Sequence, residues 1–346
     1  MVEQNVYARY RLTPDEETLL LKYRERKSLM EEEAINAGID PLQVKHFWYK
    51  SEFFSIFAKP NQKSIYDLRN ELVDSMRKYS PKYPKIVYKK NKDAHLLVID
   101  PADIHIGKLA SDTETGEVYN VDIALFRIME GVRGILDYVK GFKIDQILYI
   151  GGNDILHTDN TRRTTTSGTP QDTDGMWYDN FIAAKAINVK VLELLATIAP
   201  VHYMHNPSNH DFMTGFFLSD VLQTWFRNHK SITFDCSMAH RKAFIYHKNL
   251  IGSTHGDGAK AQDLPLLLAQ EYPKEWAETK YRYVYTHHVH HKSSKDYIGV
   301  TVESSRSASG TDAWHHRNGY QHAKKAIEAY LHDKECGQIA RFTYNF

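Results

Sequence analysis

The sequence has little cysteine, no long apolar run and no excess of charge of either sign, and each shortage removes a class of function. Its two cysteines, Cys236 and Cys336, have neither the spacing of a thiolate metal site nor that of a dithiol redox motif, so both read as structural thiols in a reducing compartment. No stretch approaches the roughly 18–20 apolar residues of a membrane span, and the opening MVEQNVYARYRL lacks the apolar core of a signal peptide, so a cytoplasmic protein without a membrane partner is expected. Lys and Arg total 44 against 43 Asp and Glu, so a nucleic-acid partner would have to be met by a local patch rather than by overall charge. Hydrophobic residues at 42% leave ample material for a core, and 346 residues suffice for a large catalytic domain with a smaller appendage. The one abundance is histidine: there are 19, many in short clusters between Asp103 and His316, which points toward metal.

Residues 1–60 carry helix start signals. Thr13-Pro14-Asp15-Glu16 puts a capping threonine before a first-turn proline and a capping-box glutamate, and Ser28 with Glu31 repeats the spacing before Gly38. Asp40-Pro41 opens a third predicted helix with Leu42, Val44, Phe47, Phe54 and Phe57 as its buried positions. The expectation is a small all-α, helix-turn-helix-like domain over 1–60, with Lys45, Tyr49 and Lys50 as nucleic-acid-binding candidates. An assembly module that makes a homo-oligomer is the alternative. Residues 61–92 hold nine basic residues against three acidic ones, a net of +6, and read as a basic helix and linker broken by Pro81 and Pro84.

From residue 93 to 346 the pattern becomes that of an α/β catalytic domain with a C-terminal extension. Ala94–Ile99, Gln146–Ile150 and Val201–Met204 read as strands, and Asp122–Lys140 and Phe181–Ile198 as amphipathic helices. Each strand runs into a polar cluster: Asp103-Ile104-His105, Gly151-Gly152-Asn153-Asp154, Ser208-Asn209-His210-Asp211. Thr254-His255-Gly256-Asp257 and His287-His288-Val289-His290-His291 follow. Imidazole, carboxylate and amide oxygen without thiolate suit Mn, Fe, Zn, Ni or Co. Two such ions about 3.5–4 Å apart can acidify a water and neutralise charge on both sides of an in-line displacement at phosphorus.

In this order the clusters resemble the calcineurin-like metallophosphoesterase superfamily, whose pattern is DxH, GDxx, GNH followed by Asp or Glu, a lone His, and GHxH. The resemblance covers roughly residues 94–300. It implies a layered α-β-β-α sandwich and two divalent ions, manganese first among the candidates. One ion would be held by Asp103, His105, Asp154 and His290, the other by Asp154, Asn209, His255 and His288. His210 would face the leaving group, with Asp211 beside it and His157 as a further catalytic candidate. The chain departs from the pattern at Ser208 and His287, which replace glycines, and at Asn153, which intrudes before Asp154. Gly151-Gly152-Asn153-Asp154-Ile155-Leu156-His157 is similar to a segment of double-strand-break-repair nucleases, and Asp159–Thr161, Thr164–Thr166, Gly168–Asp172 and Trp177, with the tail segment Thr311–His316, resemble phosphoesterases encoded by bacteriophages and prophages.

The expected activity is therefore hydrolysis of phosphodiester bonds, with DNA as substrate and the cytoplasm, or a phage's host cytoplasm, as its place. Arg162, Arg163, Thr165 and Thr166 are the candidate phosphate contacts, and Trp177 or Trp314 could stack on a base. A phosphodiesterase or phosphatase for a nucleotide or other small molecule, and a catalytically inactive DNA-binding adaptor, are the competing readings. A partner ATPase is left open.

Overall fold

The computed structural model describes residues 47–50, 55–58, 82–89, 91–320 and 323–346. The chain divides into two compact units, Met1–Tyr79 and Ser80–Phe346. In the first, β1 (Phe47–Lys50) pairs antiparallel with β2 (Ser55–Ala58), Phe47 opposite Ala58 and Lys50 opposite Ser55. This corrects the third helix and the all-α expectation at these residues. Phe-Trp-Tyr and Ile-Phe are strand formers, and the spacing of so few apolar residues does not by itself distinguish a helix from a strand. Tyr49 and Lys50 thus lie in a strand; Lys45 and the two earlier helices fall outside the described residues.

The described part of the second unit begins with 82–89, expected as part of a basic linker. This segment packs on its own unit, Tyr83 Oη donating to Glu193 and Tyr88 Oη to the Ala196 carbonyl. Next come β3 (His95–Asp100), α1 (Asp112–Thr115), α2 (Val121–Tyr138), β4 (Ile144–Gly152), α3 (Trp177–Ala196), β5 (Val201–Asn206), α4 (Phe212–Trp225) and β6 (Ile232–Asp235). The hairpin β7 (Arg241–Tyr246) and β8 (Asn249–Thr254) precedes α5 (Leu264–Glu271), α6 (Pro273–Glu278) and β9 (Tyr281–Thr286). The chain closes with β10 (Ser293–Tyr297), β11 (Val300–Ser304), α7 (Ala313–Arg317), β12 (Ala326–Asp333) and β13 (Gly337–Asn345).

The strands form a six-stranded sheet, β13-β12-β3-β4-β5-β6, and a five-stranded sheet, β10-β11-β9-β8-β7. β3 to β6 run parallel, as do β8, β9 and β11. Alternation along the strands separates three cores. Leu97, Ile99, Ile147, Tyr149 and Val201 face outward and meet Ile128 and Val132 of α2, Val191 and Leu195 of α3 and Leu218 of α4. Their neighbours Leu96, Val98, Leu148, Ile150 and Met204 face the other way and meet Ile251 and Tyr285 of the second sheet. Leu250, Val284 and Val302 turn outward again onto Leu264 and Leu268 of α5. The result is four layers, helix, sheet, sheet, helix, as the α/β sandwich expectation requires. Among the described residues no helix is long and apolar enough to cross a membrane.

Candidate metal centre

Parallel strands deliver their following loops to one edge of a sheet, where ligands of α/β proteins gather. Here β3, β4, β5, β8 and β9 end at Asp100, Gly152, Asn206, Thr254 and Thr286, and every cluster singled out in the sequence begins within a few residues of one of these ends. The bend after β4 needs glycine: Gly152 has φ +77°, and a Cβ there would lie 2.2 Å from the Asn206 carbonyl oxygen.

Six polar residues at this edge occupy the left-handed region: Asp103, His105, Asn153, Asp154, His288 and His290, with φ between 47° and 69°. Each such residue costs about 1–3 kcal/mol, and strain of this kind concentrates at functional sites. It is offset by stitching between loops. The amides of Asp103, His105 and Ile106 donate to the carbonyls of Asn153, Asp154 and Ile155, and the His157 amide returns to Ile106. Asp103 also accepts from the His288 amide at 3.1 Å, joining the first and last clusters.

The side chains converge. Asp103, His105 and His290 form one group, and Asp154, His255 and His288 another, with donor atoms of each group within 4.8 Å of one another. His290 Nε2 lies 3.5 Å from Asp103 Oδ1 and 3.3 Å from His105 Nε2. Asp154 Oδ2 lies 3.2 Å from His255 Nε2 and 4.0 Å from His105 Nε2, between the two groups. Asn209 Oδ1 is 2.9 Å from His255 Nε2. All seven residues expected as ligands are thus gathered at one place, although they come from five loops.

Electrostatics fit a cation. Burial pulls His105 well below its ordinary value and His290 to about 4, which favours neutral rings, each with one nitrogen able to offer a lone pair. Burial alone would raise Asp103 and Asp154, but His290 and His255 outweigh it and keep both carboxylates below the usual range. Burial lowers His255 too, yet the nearby Asp154 carboxylate pushes it up to about 9. Two buried carboxylates facing imidazole nitrogens and an amide oxygen are a donor set for hard to intermediate divalent ions, and a cation at His255 would take the place of its proton.

His157, His105 and His210 form a third cluster of ring nitrogens within 4.8 Å. His210 donates its backbone N–H to Asp154 Oδ1 at 2.9 Å and turns Nδ1 toward the His157 carbonyl, also at 2.9 Å. Asp211, expected beside the chemistry, points elsewhere. Its oxygens accept from Ser208 Oγ at 2.6 Å and the Leu156 amide at 2.9 Å, and Ser208 Oγ in turn accepts from the Asp154 amide at 2.7 Å. It is a strut under the Asp154 loop. Burial, with Asp154 close by, pushes it up to about 7.

The substrate-contact candidates divide. Arg162 and Arg163 are exposed, Arg163 Nη2 reaching the Met176 sulfur. Thr165 is buried, and its hydroxyl accepts from the Thr169 amide inside a turn. Thr166 donates its amide to the Asn209 carbonyl and its hydroxyl to Asp159, whose carboxylate accepts from the Met213 and Thr214 amides at the start of α4. The threonines therefore fasten the loop to the site, since their hydrogen bonds are spent inside the protein.

Several contributors were not singled out in the sequence. Asp100, fully buried, binds His287 Nε2 at 2.8 Å and Ser305 Oγ at 2.5 Å, while His287 Nδ1 faces the Thr254 carbonyl at 3.0 Å. Lys108, 1% exposed, binds Asp312 at 3.0 Å. Nothing local marks these residues, because their partners lie in other loops.

Neither a family profile nor any curated protein matches the sequence. Among solved structures the chain is similar to a novel archaeal phosphodiesterase, at 10% identity, with 72% of this chain and 99% of that one covered and a TM-score of 0.34. It is also similar to Vps29 from Entamoeba histolytica complexed with zinc, at 12% identity, 72% and 98% coverage and a TM-score of 0.31. A predicted phosphoesterase from Streptococcus pneumoniae aligns at 12% identity, 73% and 99% coverage and a TM-score of 0.29.

Proposed function

We propose that this chain is a divalent-metal-dependent phosphodiesterase that acts on DNA. One observation carries the reading: Asp103, His105 and His290 on one side, and Asp154, His255 and His288 on the other, bring their donor atoms together with Asp154 between them. Asp103, His105, Asp154 and His290 would hold one ion, and Asp154, Asn209, His255 and His288 the other. Bound there, the ions would supply Lewis acidity toward phosphoryl oxygens and acidify a water at neutral pH.

The chain's own residues do the rest. A carbonyl can only accept, so His210 Nδ1 carries its hydrogen toward the His157 carbonyl. Nε2 is then the nitrogen left to exchange a proton with a leaving alkoxide. The His210 amide holds Asp154, which keeps the ring and the carboxylate in fixed relation. DNA as the substrate is supported by the exposed Arg162, carried by the loop that the Thr166 amide ties to the Asn209 carbonyl and able to meet a phosphate there. Manganese remains the first candidate ion.

The test is a panel of linear and circular DNA, mono- and dinucleotides and a small synthetic phosphodiester, each with Mn, Mg, Zn and Ni. DNA hydrolysis that a chelator stops and that Asp154→Asn abolishes, with loss of bound metal, is expected. Cleavage of mononucleotides alone would replace DNA with a small-molecule substrate. Full activity in Asp154→Asn would remove the site.

A further inference from the structure

Beside the candidate metal centre lies an exposed aromatic pair whose contacts tie it to the proposed ligands. His315 stacks on His290, ring centroids 4.8 Å apart and planes 13° from parallel. Trp314 meets His315 edge to face at 5.1 Å and lies beside Tyr320 at 5.8 Å, their planes inclined by 35°. Trp314 and Tyr320 are both 61% exposed, which is unusual for rings of this size.

The hold is visible in the hydrogen bonds. Asp312 caps α7, accepting from the His315 amide at 2.9 Å and facing His315 Nδ1 at 2.7 Å. Its other oxygen takes the buried Lys108 ammonium, which also donates to Ser309 Oγ and the Gly310 carbonyl. Lys108 sits one turn beyond His105, so the tail is fastened to the loop that carries two proposed ligands. At the other end the Asn318 and Tyr320 amides donate to the Trp314 and His315 carbonyls, and Gly319, at φ +79°, lets the chain turn back. The backbone that carries the pair is therefore tied down, although neither ring is packed into a core. A tail anchor would bury its tryptophan; this one presents it.

We propose that Trp314 and Tyr320 form a stacking platform for a nucleobase adjoining the scissile phosphate, so that DNA reaches the centre as an unpaired strand or end. A base inside a duplex has no free face to offer, whereas an unpaired base stacks on an aromatic ring at a gain of about 5- to 150-fold in affinity. The exposed His316 and Arg317 flank the platform and can meet neighbouring phosphates. The proposal rests on the phosphodiesterase reading and adds strand state to it.

The experiment uses a short fluorescent single-stranded deoxyoligonucleotide and a set carrying one abasic residue at successive positions. Affinity is read by anisotropy, and kcat/KM with manganese is read on the same strands. In the full chain, one abasic position should weaken binding by about 5- to 150-fold. Trp314→Ala should lose that much on the intact strand and become indifferent to the abasic residue, Trp314→Phe should keep most of the difference, and Tyr320→Ala should lose part of it. A merely structural role would lower all strands alike. Equal base-to-abasic ratios in the full chain and Trp314→Ala, or indifference of the full chain at every position, overturn the platform. If that happens while DNA and a small diester are still hydrolysed, the phosphodiesterase reading stands without it. Base-dependent binding that Trp314→Ala removes, with no diester hydrolysed in any metal, supports the platform and sinks the phosphodiesterase reading.

Discussion

Removing the His287 ring tests whether a buried pair, invisible in the sequence, holds the last ligand loop in place. His287 and Asp100 are both fully buried at 2.8 Å, and in His287→Ala the carboxylate would keep only its bond from Ser305. Leaving one member of a buried pair unpartnered costs about 3–5 kcal/mol. For a unit of this size that corresponds to a fall of about 6–20 °C in Tm. His288 and His290 flank the same loop, so bound metal per chain should fall as well. Asp100→Asn removes the stranded charge, and the double variant His287→Ala with Asp100→Asn should be more stable than the sum of the two single losses by about 1 kcal/mol or more. Urea unfolding of the four proteins, with elemental analysis of each, measures both effects. Losses that add to within about 0.5 kcal/mol would refute the coupling, and an unchanged metal content would show that the loop needs no such support.

His210→Gln should lower turnover by about 10²–10⁴ while metal content stays constant, and the loss should shrink for a leaving group that needs no proton; loss of metal instead would make His210 a ligand. Ser208→Ala, which removes the link between the Asp154 amide and Asp211, should cost about 1–3 kcal/mol in unfolding free energy and weaken metal binding, and an unaltered protein would contradict the strut. Burial lowers His332 and His205 to about 3 from an ordinary 6.5, so the unfolded chain takes up protons first. Their contribution is complete above about pH 6.5 and is lost as pH falls toward 3; Tm should drop through that window, less steeply in His332→Gln, and parallel profiles would argue against it. Removing Met1–Tyr79, which spares the packed segment 82–89, should leave hydrolysis of a small diester intact. If the first unit binds DNA the truncation flattens the salt dependence of binding, whereas an assembly module would instead change the molecular mass.

The sequence alone determined what depends on local order. Strands β3, β4 and β5 and helices α2 and α3 were legible because their apolar periods are long and uninterrupted, and the polar clusters were legible because each follows a strand end. The order of those clusters carried the family resemblance, and the resemblance supplied the candidate donors that the structure brings together. Where local preference was divided it failed: the apolar residues of Phe47–Lys50 and Ser55–Ala58 fit a helical spacing, yet the two segments pair as antiparallel strands. The tertiary structure decided everything that needs two distant segments. β12, taken as part of an extension, is the antiparallel neighbour of β3 inside the main sheet, a pairing set by the whole packed layer. Asp100 meets His287 across 187 residues and Ser305 across 205, and Asp211 turned out to face Ser208 and Leu156. Which carboxylate faces the candidate centre and which supports a loop is a matter of direction in space, and direction exists only once the strands have been brought side by side.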